Sequence, residues 1–600
     1  MRRIAPLAAA LAVLVLPAAA GAAPPLKPFG HVCKEENFVR FCETKNDAQR
    51  VRSFDGVPLD VDVTLPATGD GPFPTLMLMH GYGGSKTNFE STDPVGDGAV
   101  TFHYNNNYFA RQGYAVVTPS ARGFGRSCGA ADSRTSPECD RGWIHFADQR
   151  FELHDVQYML GLLADQGVTD PLRIGVSGVS YGGLQSAQLA FMRDKVRTRD
   201  GRFVLWRSPK GKLMRIAASW VRWASGELIY SLIPNGRLLS TGSHVPSRPF
   251  GVEKESLLNA LYVGGAVTGF LAPAGADPTA DLETWRATAN QGEPYGPAAA
   301  GFVEQFRTFK GAFRLAGAPT PLMIQNGWTD PVFPGQDALR LYNRAREEGD
   351  PDTPVILQLG DIGHFTGGDP PGQYARFNDD GAEFLMRHVR GEGGGILGGS
   401  VTVFGQGCPK GQLGIGPINA RSYGALARGS FRLGFDKART LTSAGGDSVD
   451  TAVDPVAHES RCERIAAERG KGDVVTTRRS EGFTQVGLPT VRARVRTTGR
   501  FGQIVARLWD VAGGKQRIVD FGVYRLTPNQ KGEVVLQMQG NAYRFRKGHA
   551  VKLELVGSSD PLYRASNGQF KVELSDVHAS IPTRERPSRG LHVSKRTKLR

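Results

Sequence analysis

A serine between glycines is the residue whose context most clearly indicates chemistry in this chain. The sequence GVSYG at residues 178–182 fits the pattern G-x-S-x-G and follows an apolar run that ends at Val176. Gly183 and a segment compatible with a helix come next. A strand, a tight turn and a helix in this order form a nucleophile elbow, whose strained turn requires glycines. Ser180 is therefore the predicted nucleophile of an acyl-transfer reaction.

A serine hydroxyl is a weak nucleophile at neutral pH, so it needs a histidine base and a carboxylate that orients the histidine. In the fold that carries this elbow, the acid and then the histidine follow the serine along the chain, each after a strand. Asp330 follows the strand-like segment 321–326, and His364 follows the strand-like segment 355–359. We therefore predict Asp330 as the acid and His364 as the base.

Three other residues compete for these roles. Asp361 precedes His364 on the same loop, where an aspartate is expected to form a turn. His388 lies in an apparent helix, which predicts a surface position, and His154 precedes the serine, against the expected order.

The oxyanion of an acyl-transfer intermediate needs two hydrogen-bond donors. One is expected to be the backbone N–H of Tyr181, directly after the nucleophile. The other is expected from Tyr82 in the sequence HGYGG at residues 80–84, through its backbone N–H or its phenol. His80 in this loop is expected to have a structural role.

Apolar runs that alternate with helical segments would position these residues. Continuous apolar runs indicate strands buried on both faces of a parallel sheet, and here they lie at residues 75–79, 114–118, 172–176, 322–324 and 355–357. Helices are expected at residues 152–165 and 184–193 between them. This alternation predicts an α/β domain over residues 51–390. Residues 221–318 interrupt the rhythm, which indicates a helical cap inserted over the sheet, or a further part of the core.

Beyond the α/β region the pattern changes to alternation with a period of two. Residues 391–399 contain six glycines and resemble a linker. Short alternating runs then predict a β-sandwich or jelly roll over residues 400–582. Residues 583–600 form a basic tail; from Arg584 onward it carries seven Lys or Arg and one acid. We expect a solvated tail there, or a segment that contacts an anionic cell surface.

Composition excludes several functional classes. The net charge is +15, from 73 basic and 58 acidic residues, but no basic cluster accompanies a nucleic-acid motif, so we expect no nucleic-acid partner. The cysteines show no metal-like spacing, and the Gly-rich sequence RGFGRS at residues 122–127 lacks the ending of a phosphate loop. No cofactor or metal is therefore expected.

The N-terminus indicates export. Two arginines precede an apolar run that ends in small residues, so residues 1–23 are predicted to be a signal peptide and the protein to be secreted, to the extracellular space or the cell envelope. A retained N-terminal anchor is the alternative. No later stretch is long and apolar enough to cross a membrane. In an exported chain six cysteines indicate disulfides, and their spacing favours Cys33–Cys42, Cys128–Cys139 and Cys408–Cys462. The first pair would pin the segment 24–50.

The motifs HGYGG, RGFGRS, GVSYGG, GWTD and GDIGHF, in this order and followed by a β domain, resemble the peptidase S15 family. The resemblance covers roughly residues 51–582. It implies an α/β-hydrolase fold with an inserted helical cap and a C-terminal β jelly-roll sandwich. It also implies Ser180, Asp330 and His364 as nucleophile, acid and base. Tyr82 matches the family's oxyanion tyrosine, which donates through its hydroxyl, while the HGYGG context leaves backbone donation open.

The resemblance implies a small ester or a short peptide as substrate. An Xaa-Pro dipeptidyl-peptidase must hold a free ammonium group, for which Glu227, near Trp223 in the cap region, is the candidate, with a surface glutamate as the alternative. An aromatic-lined cap without a carboxylate would suit a neutral ester of the cocaine esterase or α-amino acid ester hydrolase type. The resemblance alone favours the peptidase. In a different class, the chain would be a surface-binding protein with a vestigial hydrolase domain.

Overall fold

The computed structural model describes residues 25–239, 248–393, 400–445, 448–458, 460–470, 472–588 and 593–594. The predicted signal peptide, most of the glycine-rich linker and most of the basic tail lie outside these residues. The described residues form an α/β region followed by an antiparallel β region, as the sequence predicts.

A central sheet of eleven strands organises the α/β region, in the order β1-β2-β5-β7-β6-β8-β11-β12-β13-β14-β15. Pairing is parallel from β7 to β14 and antiparallel at both ends. The strands of this region, including the separate pairs β3–β4 and β9–β10, are β1 Lys34–Glu36, β2 Val39–Cys42, β3 Val51–Arg52, β4 Pro58–Leu59, β5 Val61–Pro66, β6 Phe73–Met79, β7 Ala115–Pro119, β8 Thr169–Val179, β9 Lys195–Arg197, β10 Phe203–Leu205, β11 Ile216–Arg222, β12 Leu322–Gly327, β13 Val355–Gly360, β14 Val401–Val403 and β15 Ile418–Ala420.

Helices cover both faces of this sheet, which explains why its inner strands are continuous apolar runs. The helices of the described residues are α1 Asn106–Arg111, α2 Glu152–Asp165, α3 Tyr181–Met192, α4 Leu228–Leu232, α5 Glu255–Thr268, α6 Leu282–Gln291, α7 Pro297–Phe309, α8 Gly335–Glu348, α9 Pro371–Leu385 and α10 Ser448–Thr451. None of them has both the length and the apolar character that a bilayer-spanning helix needs.

Helices α4 to α7 lie between β11 and β12, the region where the sequence indicates an inserted cap. The insertion begins later than expected, because Val221 and Arg222 belong to β11, a strand that the sequence analysis missed. Its tryptophan, Trp220, is fully buried and packs against Tyr104 in the core. Trp220 is therefore part of the sheet and not of the insertion.

Two antiparallel sheets form the C-terminal region. One contains the strands β16, β17, β20, β21, β24, β25, β27 and β28, and the other has the order β18-β23-β22-β26-β19. Their inward side chains share one apolar core, which makes a sandwich. The bounds are β16 Gly429–Phe435, β17 Arg439–Thr442, β18 Ile465–Ala466, β19 Val474–Arg479, β20 Phe483–Gly487, β21 Thr490–Gly499, β22 Gln503–Ala512, β23 Lys515–Arg525, β24 Lys531–Gln537, β25 Asn541–Phe545, β26 Ala550–Val556, β27 Phe570–Thr583 and β28 Val593–Ser594.

Short segments outside the predicted α/β boundaries extend the central sheet. The segment 24–50, which lies before the predicted α/β domain, contains the hairpin β1–β2, whose second strand pairs with β5. Strands β14 and β15, placed in the β domain by the sequence, also join this sheet. Each is only three residues long, and so short a segment shows no hydrophobic period that could identify it.

The structure contains the three disulfides that the spacing favours. Cys33 is bonded to Cys42 across the hairpin, Cys128 to Cys139, and Cys408 to Cys462. The third bond joins the segment that follows β14 to the β region, because Cys462 lies just before β18.

Candidate active site

Ser180 lies at a sharp turn between the sheet and a helix. Strand β8 ends at Val179 and α3 begins at Tyr181, so the serine is the single residue between them. Its φ is 55° and its ψ is −112°, a conformation that is uncommon for a residue with a side chain. Such strain is typical of functional positions, and the turn presents the half-buried hydroxyl at the carboxyl end of the parallel strands.

The two glycines of GVSYG are required by the neighbouring backbone. A Cβ on Gly178 would lie 2.7 Å from the carbonyl oxygen of Met79, and a Cβ on Gly182 would overlap the same oxygen. The end of β6 thus packs directly against the turn, and any larger residue would push the serine away from it.

The structure brings together the three residues predicted as nucleophile, acid and base. His364 Nε2 lies 2.8 Å from Ser180 Oγ, and His364 Nδ1 lies 2.7 Å from Asp330 Oδ2. Asp330 is fully buried, and its Oδ1 accepts hydrogen bonds from the backbone N–H groups of Val332 and Phe333 at 2.9 and 3.0 Å. These bonds fix the carboxylate so that it holds the imidazole in the orientation that general-base catalysis needs.

The surroundings of His364 favour its protonated form. Burial lowers the pKa of the imidazole, but the charge and hydrogen bond of Asp330, with a contribution from Asp369, outweigh burial and leave the pKa above its usual 6.5. A more basic imidazole accepts the serine proton more readily.

Asp361, the competing acid, joins the two loops that carry Asp330 and His364. Its Oδ1 accepts hydrogen bonds from the Thr329 hydroxyl at 2.6 Å and from the Gly368 N–H at 3.0 Å. Its Oδ2 accepts one from the Gly407 N–H at 2.9 Å, next to the Cys408–Cys462 disulfide. Asp361 is thus a structural acceptor, which agrees with its predicted role in a turn, but the sequence offered no signal for its three partners.

The two segments that carry the candidate oxyanion donors both border the nucleophile. The N–H of Tyr181 belongs to the first residue of α3, and such N–H groups have no acceptor within their own helix. On the other side, a Cβ on Gly81 would lie 3.6 Å from the Ser180 Cβ, so the HGYGG loop borders the serine.

Tyr82 directs its side chain under the cap. Its ring contacts the rings of Phe124, Phe146 and Tyr181, and a Cβ on Gly265 of α5 would overlap its hydroxyl. Burial, followed by the nearby Tyr262 and Glu152, raises the pKa of the Tyr82 phenol well above 10, which keeps it protonated and able to donate.

His80, the first residue of HGYGG, is occupied by backbone contacts. Its Nδ1 lies 2.7 Å from the Gly81 carbonyl oxygen, and its Nε2 accepts a hydrogen bond from the Ala121 N–H at 2.9 Å. Burial lowers the pKa of its imidazole to about 4. A neutral histidine with both nitrogens engaged supports the loop, as the sequence predicts.

The two candidate substrate-binding residues have different surroundings. Glu227 is buried and forms ion pairs with Arg307 at 2.6 Å and Arg340 at 3.5 Å. The Trp223 ring meets the His364 ring edge to face, with 6.2 Å between their centres. Trp223 therefore borders the base, whereas the Glu227 carboxylate is already neutralised by two cations.

The competing histidines lie elsewhere. His388 contributes to a polar cleft with Leu172 and Pro321, at the amino ends of β8 and β12 and so opposite the edge that carries Ser180. His154 lies in α2, where it stacks on Phe54 at 3.8 Å.

The motif RGFGRS also has a structural role that the sequence did not reveal. Arg122 is fully buried and forms ion pairs with Asp55 at 2.9 Å and Asp155 at 2.6 Å. In the part of the chain that the structure describes, no group of three or more His, Cys, Asp or Glu is arranged to hold a metal ion.

Comparison with known proteins identifies one matching family and several structures of similar fold. The sequence model of the family described as X-Pro dipeptidyl-peptidase (S15 family) matches residues 55–197, which confirms the predicted resemblance. No curated protein has a significantly similar sequence.

Solved structures share the fold along most of the chain. A CocE/NonD family hydrolase from Staphylococcus aureus is 13% identical, with a TM-score of 0.57 over 91% of this chain and 94% of its own. An aminopeptidase from a marine sediment Thaumarchaeota archaeon is 14% identical, with a TM-score of 0.57 over 94% and 97%. An α-amino acid ester hydrolase is 13% identical, with a TM-score of 0.54 over 96% and 100%. These likenesses show an α/β-hydrolase fold with a C-terminal β sandwich.

Proposed function

Because residues 55–197 match the S15 family of hydrolases, we propose that this protein is a serine hydrolase that cleaves carboxylic esters through an acyl-enzyme intermediate. The observation that carries the proposal is the unbroken chain of contacts from Ser180 through His364 to Asp330. Each distance is short enough for a hydrogen bond, and each residue follows a strand of the same sheet.

The reaction takes place in two steps. Ser180 Oγ attacks the ester carbonyl while His364 Nε2 removes its proton, and the carbonyl oxygen becomes an oxyanion held by Tyr181 N–H and Tyr82. The intermediate collapses, the C–O bond to the leaving alcohol breaks, and His364 gives its proton to that oxygen. Water then attacks the acyl-enzyme with the same proton transfers, which releases the acid and restores Ser180.

The contacts of Glu227 favour an ester over a peptide with a free N-terminus. An Xaa-Pro dipeptidyl-peptidase must pair the substrate ammonium with a carboxylate. Glu227 was the candidate for this role, but Arg307 and Arg340 already neutralise it. Peptidase activity stays the second candidate, since the matched family is described by it.

Activity on paired substrates tests the proposal. Wild-type protein is expected to hydrolyse p-nitrophenyl butyrate faster than the p-nitroanilides of Gly-Pro and Ala-Pro, as measured by kcat/KM. Ser180→Ala is expected to lower ester hydrolysis by roughly 10⁴-fold or more. Full activity in Ser180→Ala would refute the mechanism, and faster cleavage of the dipeptide anilides would establish the peptidase instead.

Export of the protein is part of the proposal. Three disulfides in the described chain suit an oxidising compartment, which is where the signal-peptide-like sequence of residues 1–23 would direct it. The basic tail would then be solvated or would contact an anionic cell surface.

A further inference from the structure

We infer that the apolar chamber beneath the cap binds the acyl group of the substrate, and that this acyl group is a neutral, unbranched alkyl chain of medium length. The inference rests on the proposed ester hydrolysis. It adds the chemical class of the acyl group, which the catalytic residues alone do not determine.

The chamber is formed by all four cap helices and by two side chains of the α/β core. Its cavity volume is about 70 Å³, several times the roughly 10–15 Å³ that a single water needs. Helix α4 contributes Leu228 and Leu232, α5 contributes Leu258 and Leu261, and rings from α6 and α7 complete the wall. Almost all of the exposed wall is apolar, so water gains little from occupying it.

Tyr82 connects the chamber to the reacting carbonyl. Its ring forms part of the chamber wall, and the preceding residue, Gly81, borders Ser180. A carbonyl oxygen held between Tyr82 and the Tyr181 N–H therefore lies at the mouth of the chamber. One of the two substituents of that carbonyl must point inward.

Proton transfer determines which substituent this is. The leaving oxygen receives its proton from His364 Nε2, so the leaving group must lie on the side of the imidazole. That side is bordered by Trp223 and Phe333, whose rings meet the His364 ring with 6.2 and 5.5 Å between centres. The acyl substituent lies on the opposite side of the carbonyl, toward Tyr82 and the chamber.

The charge of the lining selects against an amino-acyl group. Among the described residues that line the chamber, none is a carboxylate and one, Arg286, is charged. Its guanidinium lies 4.2 Å from the centre of the Tyr262 ring and donates to the Asn259 side chain at 3.1 Å. An acyl group with an α-ammonium would lose water here without gaining a negative partner, and it would approach a cation.

An alkyl chain binds more tightly with each methylene that packs against this apolar wall. Burial of one methylene corresponds to a change of about fourfold in kcat/KM. We expect kcat/KM for straight-chain p-nitrophenyl esters to rise from acetate to hexanoate or octanoate, until the chain fills the chamber.

The wild-type protein provides the first test. Its kcat/KM is measured on p-nitrophenyl acetate, butyrate, hexanoate, octanoate and benzoate, and on the 2-aminooctanoate ester. We expect octanoate to exceed acetate at least tenfold and to exceed its α-amino analogue at least tenfold. Equal rates from acetate to octanoate, preference for benzoate over every alkyl ester, or preference for the amino-acyl ester would overturn the inference.

A pair of variants on α5 tests whether the preference for long acyl chains arises in the chamber. Leu261→Trp places a large ring in the chamber and is expected to lower the ratio of octanoate to acetate kcat/KM at least tenfold. Val263→Trp, on the exposed side of the same helix, adds the same ring where 57% of the side chain is exposed, and its ratio is expected to equal that of wild type. An unchanged ratio in folded Leu261→Trp would place the acyl chain outside the chamber.

The two proposals fail in different ways. Suppose that p-nitrophenyl acetate is hydrolysed, that Ser180→Ala abolishes the reaction, and that acyl chain length has no effect on kcat/KM. The chamber inference then fails, and the proposed serine hydrolase stands. If no ester is hydrolysed by folded wild-type protein, the proposed function fails and the inference with it.

Discussion

The Thr329 hydroxyl donates a hydrogen bond to Asp361 Oδ1 at 2.6 Å, and this bond connects the loop of the candidate acid to the loop of the candidate base. Thr329 directly precedes Asp330, and Asp361 lies three residues before His364. The relative position of Asp330 and His364 therefore depends on a carboxylate that does not itself touch either side chain.

Asp361→Asn is expected to lower kcat by about 10- to 100-fold with little change in KM. Hydrogen bonds to a charged acceptor contribute about 1.5–3 kcal/mol, and the amide replaces one acceptor oxygen by a donor. The rate should be expressed per active site titrated with a fluorophosphonate, which separates misplacement of the triad from loss of folded protein. Asp352→Asn, an exposed aspartate before β13, is the matched control. If Asp361→Asn keeps the kcat of the wild type per titrated site, the bond between Thr329 and Asp361 does not position the triad.

The pH dependence of kcat/KM should report His364. The base must be neutral to accept the serine proton, and its pKa in the folded protein is raised above 6.5. Activity should therefore rise with pH along a limb whose midpoint lies above 6.5. Asp369→Asn removes a negative charge that stabilises the imidazolium, so it should move this limb to lower pH. A wild-type midpoint at or below 6.5 would show that the field of Asp330 and Asp369 does not act on the base as described.

The Tyr82 hydroxyl is expected to donate to the oxyanion, because burial keeps the phenol protonated. Tyr82→Phe should lower kcat by about 10²- to 10³-fold with little change in KM. A kcat within threefold of wild type would assign the second donor to the backbone N–H of the HGYGG loop.

Two adjacent glycines of α5 offer an independent test of the same hydroxyl. A Cβ on Gly265 would overlap the Tyr82 hydroxyl, so Gly265→Ala should displace it and lower kcat by roughly tenfold. A Cβ on Gly264 meets no atom within 4 Å, so Gly264→Ala should keep wild-type kcat. That control should also stabilise the protein by about 0.5–1 kcal/mol, since glycine is a poor helix residue.

Much of the candidate site could be predicted because local sequence determines it. The elbow at Ser180 needs a strand, glycines and a helix in succession, and Asp330 and His364 follow strands that are recognisable as apolar runs. Helix α2 was predicted with the bounds that the structure shows, because its pattern is long and regular.

The features that the sequence did not predict depend on contacts between distant segments. Glu227 gave no sign of its pairing with Arg307 and Arg340, which lie 80 and 113 residues further along the chain. Strand β11 was missed because its last two residues fall within the predicted insertion 221–318, and the three-residue strands β14 and β15 are too short to show a period. A sequence pattern reports the local period of a segment but not its neighbours in space.

The most direct test of the central claim is covalent labelling of folded protein with a fluorophosphonate, followed by mass spectrometry of its peptides. The activated serine attacks phosphorus and fluoride leaves, which needs the same base and the same oxyanion donors as ester hydrolysis. The account predicts one adduct, on Ser180, that is absent in Ser180→Ala and forms at least 10³-fold more slowly in His364→Ala. The absence of any adduct, or an adduct on another residue with Ser180 unmodified, would contradict it and favour a surface-binding protein with a vestigial hydrolase domain.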